Sequence, residues 1–243
     1  MREKKSEALT DPQSWAALQA EIAACCRCPR LVAWREGVAQ RKVARFREQT
    51  YWGRAVPGFG DPQARLWVIG LAPAAHGGNR TGRVFTGDPS GDWLFRALYR
   101  AGFANQPISL HREDGLQLRD CYISAVVRCA PPDNRPSAPE AKACLSYLKR
   151  ELELLAQVRV ILALGHFAFR YTLALLPPLR PRPRFGHNCV VPLGEGRYLL
   201  TSYHPSRRNT ATQRLTEAML DAVFERALQL LSPSPPSTPL IEF

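Results

Sequence analysis

Four apolar runs, each followed by a loop and a helical pattern, constrain this chain more than any other feature. They cover residues 64–71, 121–128, 158–164 and 198–203, and the last leads through His204-Pro205-Ser206 into a helical stretch over 212–231. Near-continuous apolar runs of this length suit strands buried on both faces. Strands alternating with helices imply α/β architecture, with a parallel sheet layered between helices. Ligands of such sheets bind beyond the carboxyl ends of the strands, so the segments leaving the four runs are where function is expected.

The flanks read differently. Residues 1–12 look like a flexible lead-in. A helix is expected from Ser14, a candidate N-cap, through Trp15, Leu18 and Ile22 into Cys25-Cys26-Arg27-Cys28-Pro29. Residues 41–49 form a basic amphipathic stretch, and 51–61 is loop-like around Pro57, Gly58 and Gly60. One domain over 13–231 is expected, with 232–243 a Pro/Ser-rich disordered tail.

Charge narrows the partner. The 33 Lys and Arg outnumber 21 Asp and Glu, a net charge of +12, and arginine forks suit phosphate oxygens. No run approaches the roughly 18 apolar residues that span a bilayer, and Met1-Arg2-Glu3-Lys4-Lys5 opens no signal peptide. The expectation is a cytoplasmic protein with reduced thiols. Seven cysteines then argue for ligation rather than disulfides. Cys25-x2-Cys28 can aim two thiolates at one centre, with Cys26 competing for the first place. Cys129 and Cys144 flank the proline-rich segment 130–136 and can close on the same centre. Four thiolates suit zinc or a 4Fe–4S cluster. Cys121 and Cys189 read as inert buried thiols.

The first run empties into Gly70-Leu71-Ala72-Pro73-Ala74-Ala75-His76-Gly77-Gly78-Asn79-Arg80-Thr81-Gly82-Arg83. This is neither a Walker loop nor a dinucleotide fingerprint. Phe85-Thr86-Gly87-Asp88 follows, then Arg128-Cys129-Ala130-Pro131-Pro132-Asp133-Asn134-Arg135-Pro136, and finally His204-Pro205-Ser206. In order and together, these segments resemble the uracil-DNA glycosylase superfamily, specifically its type 5 iron–sulfur branch. The resemblance implies a three-layer α/β/α fold on a central four-stranded parallel sheet. It also implies one 4Fe–4S cluster on Cys25, Cys28, Cys129 and Cys144, and double-stranded DNA bearing uracil as the partner.

Chemistry assigns roles beside that resemblance. A stacked base must be extruded before its bond can be cut. Phe85 can then stack on the flipped ring, and backbone amides around residues 71–75, the segment that carries Ala72, Pro73 and Ala74, can read its oxygens, with Asn79 on the same glycine-rich loop. His204 can donate to the base oxygen where leaving-group charge develops. Asn134 matches an asparagine of the family pattern and can hold the water, with Asp88 as assisting carboxylate or simple helix cap. Arg80, Arg83, Arg207 and Arg208 are the DNA-binding candidates.

Two departures matter. Leu71 stands where the related type 4 enzymes carry a carboxylate, and Ala125 where stricter members carry a base-reading asparagine. Fewer base-reading groups predict tolerance of hypoxanthine, xanthine and ethenocytosine. Leu71 also leaves room for an alternative, a non-catalytic cluster- or zinc-bearing nucleic-acid-binding module. A nucleoid-associated monomer acting in base excision repair is the expectation.

Overall fold

The computed structural model describes residues 12–232. Apart from their inner ends, the expected lead-in 1–12 and tail 232–243 lie outside the described residues.

In chain order, α1 (Pro12–Ala23) and α2 (Pro29–Arg41) precede a 3-10 turn, Ala44–Phe46. Then come β1 (Phe59–Gly60), β2 (Leu66–Gly70), α3 (Gly78–Thr81), α4 (Pro89–Arg100) and β3 (Cys121–Ala125). A 3-10 turn at Pro132–Asn134 leads to α5 (Ala138–Leu154), β4 (Val160–Leu164), α6 (Gly165–Leu173) and β5 (Cys189–Gly194). The chain closes with β6 (Arg197–Ser202), α7 (Arg207–Ala211) and α8 (Glu217–Leu231).

The strands form one six-stranded sheet in the order β1-β3-β2-β4-β6-β5. The β3–β2, β2–β4 and β4–β6 pairs are parallel, and these four strands coincide with the four apolar runs. Sequence reading had no place for the antiparallel edges β1 and β5. β5 joins β6 through a turn in which Gly194, Glu195 and Gly196 all have positive φ, which glycine makes inexpensive.

Alternation within each strand fills both layers. Leu66 and Val68 of β2 face Leu94, Leu98, Val223 and Phe224 on α4 and α8. Trp67 and Ile69 face the other way, toward Leu18, Ile22, Leu31, Tyr147 and Phe169. Each such side chain contributes about 1.5–3 kcal/mol when fully buried.

Helix ends follow local chemistry. Ser137 and Glu140 form a capping box on α5, Asp88 caps α4 and Thr216 caps α8. Three sequence expectations need correction. The first helix begins at Pro12, so Ser14 lies inside α1 rather than capping it. Residues 41–49 are the end of α2 and a 3-10 turn, because Lys42 adopts φ 51° and breaks the helix. The helix expected over 212–231 begins only at Glu217; Gln213, at φ 55°, separates it from α7.

Candidate active site

β2 has one parallel neighbour on each side, β3 and β4, and the chain leaves it toward opposite edges in turn. The carboxyl ends of β2 and β4 therefore open a crevice at a topological switch point. Gly70 ends β2 and Gly165 follows β4. A Cβ on Gly70 would lie 2.5 Å from Cζ of Phe85, and one on Gly165 would lie 3.1 Å from Cβ of His204. Both glycines are thus bare so that two rings can seat on the strand ends. The rings of Phe85 and His204 stack with centroids 5.8 Å apart and planes 30° from parallel. Phe85 holds φ 53°, an unusual state for a bulky residue of the kind that clusters at functional sites.

Burial lowers the His204 pKa from its ordinary 6.5 to about 4, so the imidazole is neutral near pH 7. Its backbone oxygen accepts from Asn209 Nδ2 at 2.9 Å, while its ring nitrogens have no protein hydrogen-bond partner among the described residues. The loop after β2 also keeps donors free. The amides of Ala72, Ala74 and Ala75 find no protein acceptor among the described residues, whereas Ala74 O accepts from Gly77 N and Asn79 N. Pro73 is buried, and Ala72 and Ala74 are half-buried.

Asp88 caps α4 as well as bordering the crevice: Oδ1 accepts from Ser90 N at 3.0 Å and Gly91 N at 3.1 Å. Its other oxygen lies against Gly77, where a Cβ would come within 2.2 Å. Desolvation raises the Asp88 pKa despite both amide hydrogen bonds. Asn134 is exposed at the same end of the sheet, in the loop after β3. It and Asp133 hold φ 55° and 51°. The Asn134 side chain makes no protein hydrogen bond among the described residues, and none joins it to Phe85 or His204.

Three residues expected at the surface of the site belong to its scaffold instead. Arg83 is buried and donates to Asp114 Oδ2 at 2.6 Å, Ser109 Oγ at 2.8 Å and Thr86 Oγ1 at 3.0 Å. Arg80 is buried, stacked on Phe46 at 4.0 Å, and donates to His76 O at 2.7 Å and Gln49 Oε1 at 2.6 Å. Asn79 is fully buried, its Nδ2 donating to Arg35 O at 3.1 Å. The guanidinium groups of Arg80 and Arg83 and the Nδ2 of Asn79 are spent on holding the glycine-rich loop, while Asn79 Oδ1 is buried without a hydrogen-bond partner. Arg207 and Arg208, in contrast, are exposed at the start of α7 and make no ion pair among the described residues.

Cys25, Cys28, Cys129 and Cys144 line one small cleft with Arg27, Val32, Arg128 and Ala143. Cys26 is exposed and turned toward Ala24 O at 3.6 Å, so Cys25 is the inward-facing member of that run. Among the described residues, no three His, Cys, Asp or Glu side chains are grouped as they would be around a single metal ion.

The family model described as the uracil DNA glycosylase superfamily matches residues 57–228. The chain belongs to the uracil-DNA glycosylase superfamily. It is 52% identical over 216 residues to a type-5 uracil-DNA glycosylase of Mycobacterium leprae, covering 88% of this chain and 94% of that protein. It is 51% identical over 209 residues to one of Thermus thermophilus, covering 86% and 94%. A type-4 uracil-DNA glycosylase of Pyrobaculum aerophilum is 34% identical over 127 residues, covering 52% and 57%.

Within this superfamily member, Leu71 directly follows the end of β2 and Ala125 ends the neighbouring strand β3. Leu71 O accepts from Val127 N at 3.0 Å. Ala125 is buried and registers against Gly70. Sequence reading passed over Gly165 and Arg35. The signal for Gly165 was its place directly after an apolar run; that for Arg35 was its seven-residue spacing from Cys28 along one helix face.

Proposed function

We propose that this chain is a uracil-DNA glycosylase of type 5, which extrudes uracil from duplex DNA and hydrolyses its N-glycosidic bond to leave an abasic site for base excision repair. The observation that carries this reading is Phe85 stacked on a neutral, unpartnered His204 at the strand-end crevice. Extruding a base costs a few kcal/mol, and stacking on Phe85 returns about 1–3 kcal/mol. The unpaired amides of Ala72, Ala74 and Ala75 suit the carbonyl oxygens of the base.

Bond cleavage builds cationic character on the sugar and negative charge on the leaving base. His204 donates an N–H to that base, and a neutral imidazole can do so without first being protonated. One such donor is worth about 10²–10³ in rate. Asn134 holds the attacking water through its amide oxygen, while Asp88 sets a negative field for the sugar from its capping position. Arg207 and Arg208 take backbone phosphates of the duplex, with the enzyme acting as a monomer. Ala125 leaves the base edge without an asparagine partner, which favours acceptance of hypoxanthine, xanthine and ethenocytosine.

The cofactor of this reading is one 4Fe–4S cluster on Cys25, Cys28, Cys129 and Cys144. The four thiols share a cleft, and a buried guanidinium beside Cys129 suits an anionic occupant. Such a cluster would brace α2, the 130–136 loop and α5 against one another. Incubation with a uracil-containing duplex followed by alkali tests the activity. Strand scission at the uracil is expected; none at any enzyme excess would overturn the reading and leave a non-catalytic binding module.

A further inference from the structure

Arg35 sits on α2, seven residues after Cys28, with its side chain 3% exposed. Nη1 donates to Cys129 Sγ at 3.0 Å, Nη2 makes only a long contact to Cys26 Sγ at 3.9 Å, and Nε is buried without an acceptor. Its nearest carboxylate, Glu36, is 3.7 Å away and 52% exposed, so water screens most of that attraction. A buried cation so poorly compensated is costly, and a cluster with four thiolates supplies the missing negative charge.

The other end of Arg35 leads to the base pocket. Its backbone oxygen accepts from Asn79 Nδ2 at 3.1 Å. Asn79 N donates to Ala74 O at 3.0 Å, and the adjoining Gly78 packs so closely that a Cβ there would lie 2.9 Å from Pro73 Cβ. An unbroken line of short contacts therefore runs from a cysteine sulfur through Arg35 and Asn79 to the loop whose unpaired amides the proposed function assigns to the base.

We propose that Arg35 is a positioning residue: it neutralises the four-cysteine cluster and, through Asn79, fixes the 72–75 loop that reads the base. This rests on the cluster reading above. The guanidinium acts on the sulfur side by charge and an N–H···S bond, and on the pocket side by holding the helix turn that carries Asn79. The arrangement makes base recognition sensitive to the state of the cluster, although the two lie on different elements.

The test uses the iron-bearing protein as isolated, comparing Arg35→Met, Arg35→Lys and Asn79→Ala with the native chain. Removing a positive charge and a hydrogen bond from the sulfur should lower the cluster's reduction potential in Arg35→Met. It should also speed iron release to a chelator about 10–100-fold. Arg35→Lys should keep the potential near native while releasing iron faster than the native protein. Asn79→Ala should slow single-turnover excision about tenfold with potential and iron release unchanged. An iron-free native protein overturns the cluster reading itself. An iron-bearing native protein whose potential and iron release are unaltered in Arg35→Met overturns this proposal alone. If Arg35→Met does not fold, native iron-release kinetics in Arg35→Lys overturn it, as does undiminished excision by Asn79→Ala.

Discussion

The Phe85 ring lies at once against Gly70, the last residue of β2, and over the imidazole of His204, which follows β6. Two segments far apart in sequence thus build a single aromatic wall, and its position depends on a missing side chain. Replacing that hydrogen, as in Gly70→Ala, should push the ring off the strand end. Single-turnover excision should fall at least tenfold, with the duplex affinity changed far less. A variant as fast as the native enzyme would show that the wall does not hold the base.

His204→Gln should lose about 10²–10³ in the chemical step. The pH behaviour carries a sign. The folded pKa, about 4, lies below the ordinary 6.5, so over that interval the unfolded chain binds the extra proton. The stability that neutral His204 contributes is complete above about pH 6.5 and is lost as pH falls toward 4. His204→Gln should lack this part of the acid destabilisation, measured as the difference in unfolding free energy between the two proteins across that range. A His204 resonance titrating near 6.5 would contradict it.

Asp88 and Asn134 separate by comparing stability with rate. Asp88→Ala removes the α4 cap and should cost about 0.5–2 kcal/mol of stability, while asparagine, itself a good cap, should restore most of it. If the carboxylate also acts on the sugar, Asp88→Asn should still excise at least tenfold more slowly despite a near-native Tm. Asn134→Ala should lower the single-turnover rate with little change in Kd for DNA; equal losses in both would reassign Asn134 to binding.

The arginines divide by burial. Arg83→Leu strands Asp114 in a buried site and should destabilise the fold by about 3–5 kcal/mol. Arg207→Ala should leave the Tm intact, weaken duplex binding and reduce its salt dependence by about one phosphate contact. A native salt slope in Arg207→Ala would remove it from the DNA face.

Ala125 ends β3 in register with Gly70. Ala125→Asn should narrow the range of excised bases, cutting hypoxanthine removal relative to uracil removal at least tenfold. An unchanged ratio would place the breadth of the site elsewhere.

The four central strands were legible in the chain itself, as was the convergence of Cys25, Cys28, Cys129 and Cys144 on one cleft. Apolar runs of strand length must be buried, and ordered loop motifs leave their carboxyl ends by construction. The edge strands were not legible, since β1 is two residues long and β5 is only partly buried, leaving weak patterns. The arginines mark the limit most clearly. Arg80, Arg83, Arg207 and Arg208 are the same residue type on neighbouring motifs, yet two are folded inside and two face solvent. Sequence determined that this chain would present a basic, glycine-rich and histidine-bearing edge. Which charges stay there, and that Arg35 joins sulfur to pocket, was decided by tertiary packing: a guanidinium is buried only where distant segments supply its partners. Asp114 and Ser109 supply them to Arg83, and Cys129 to Arg35.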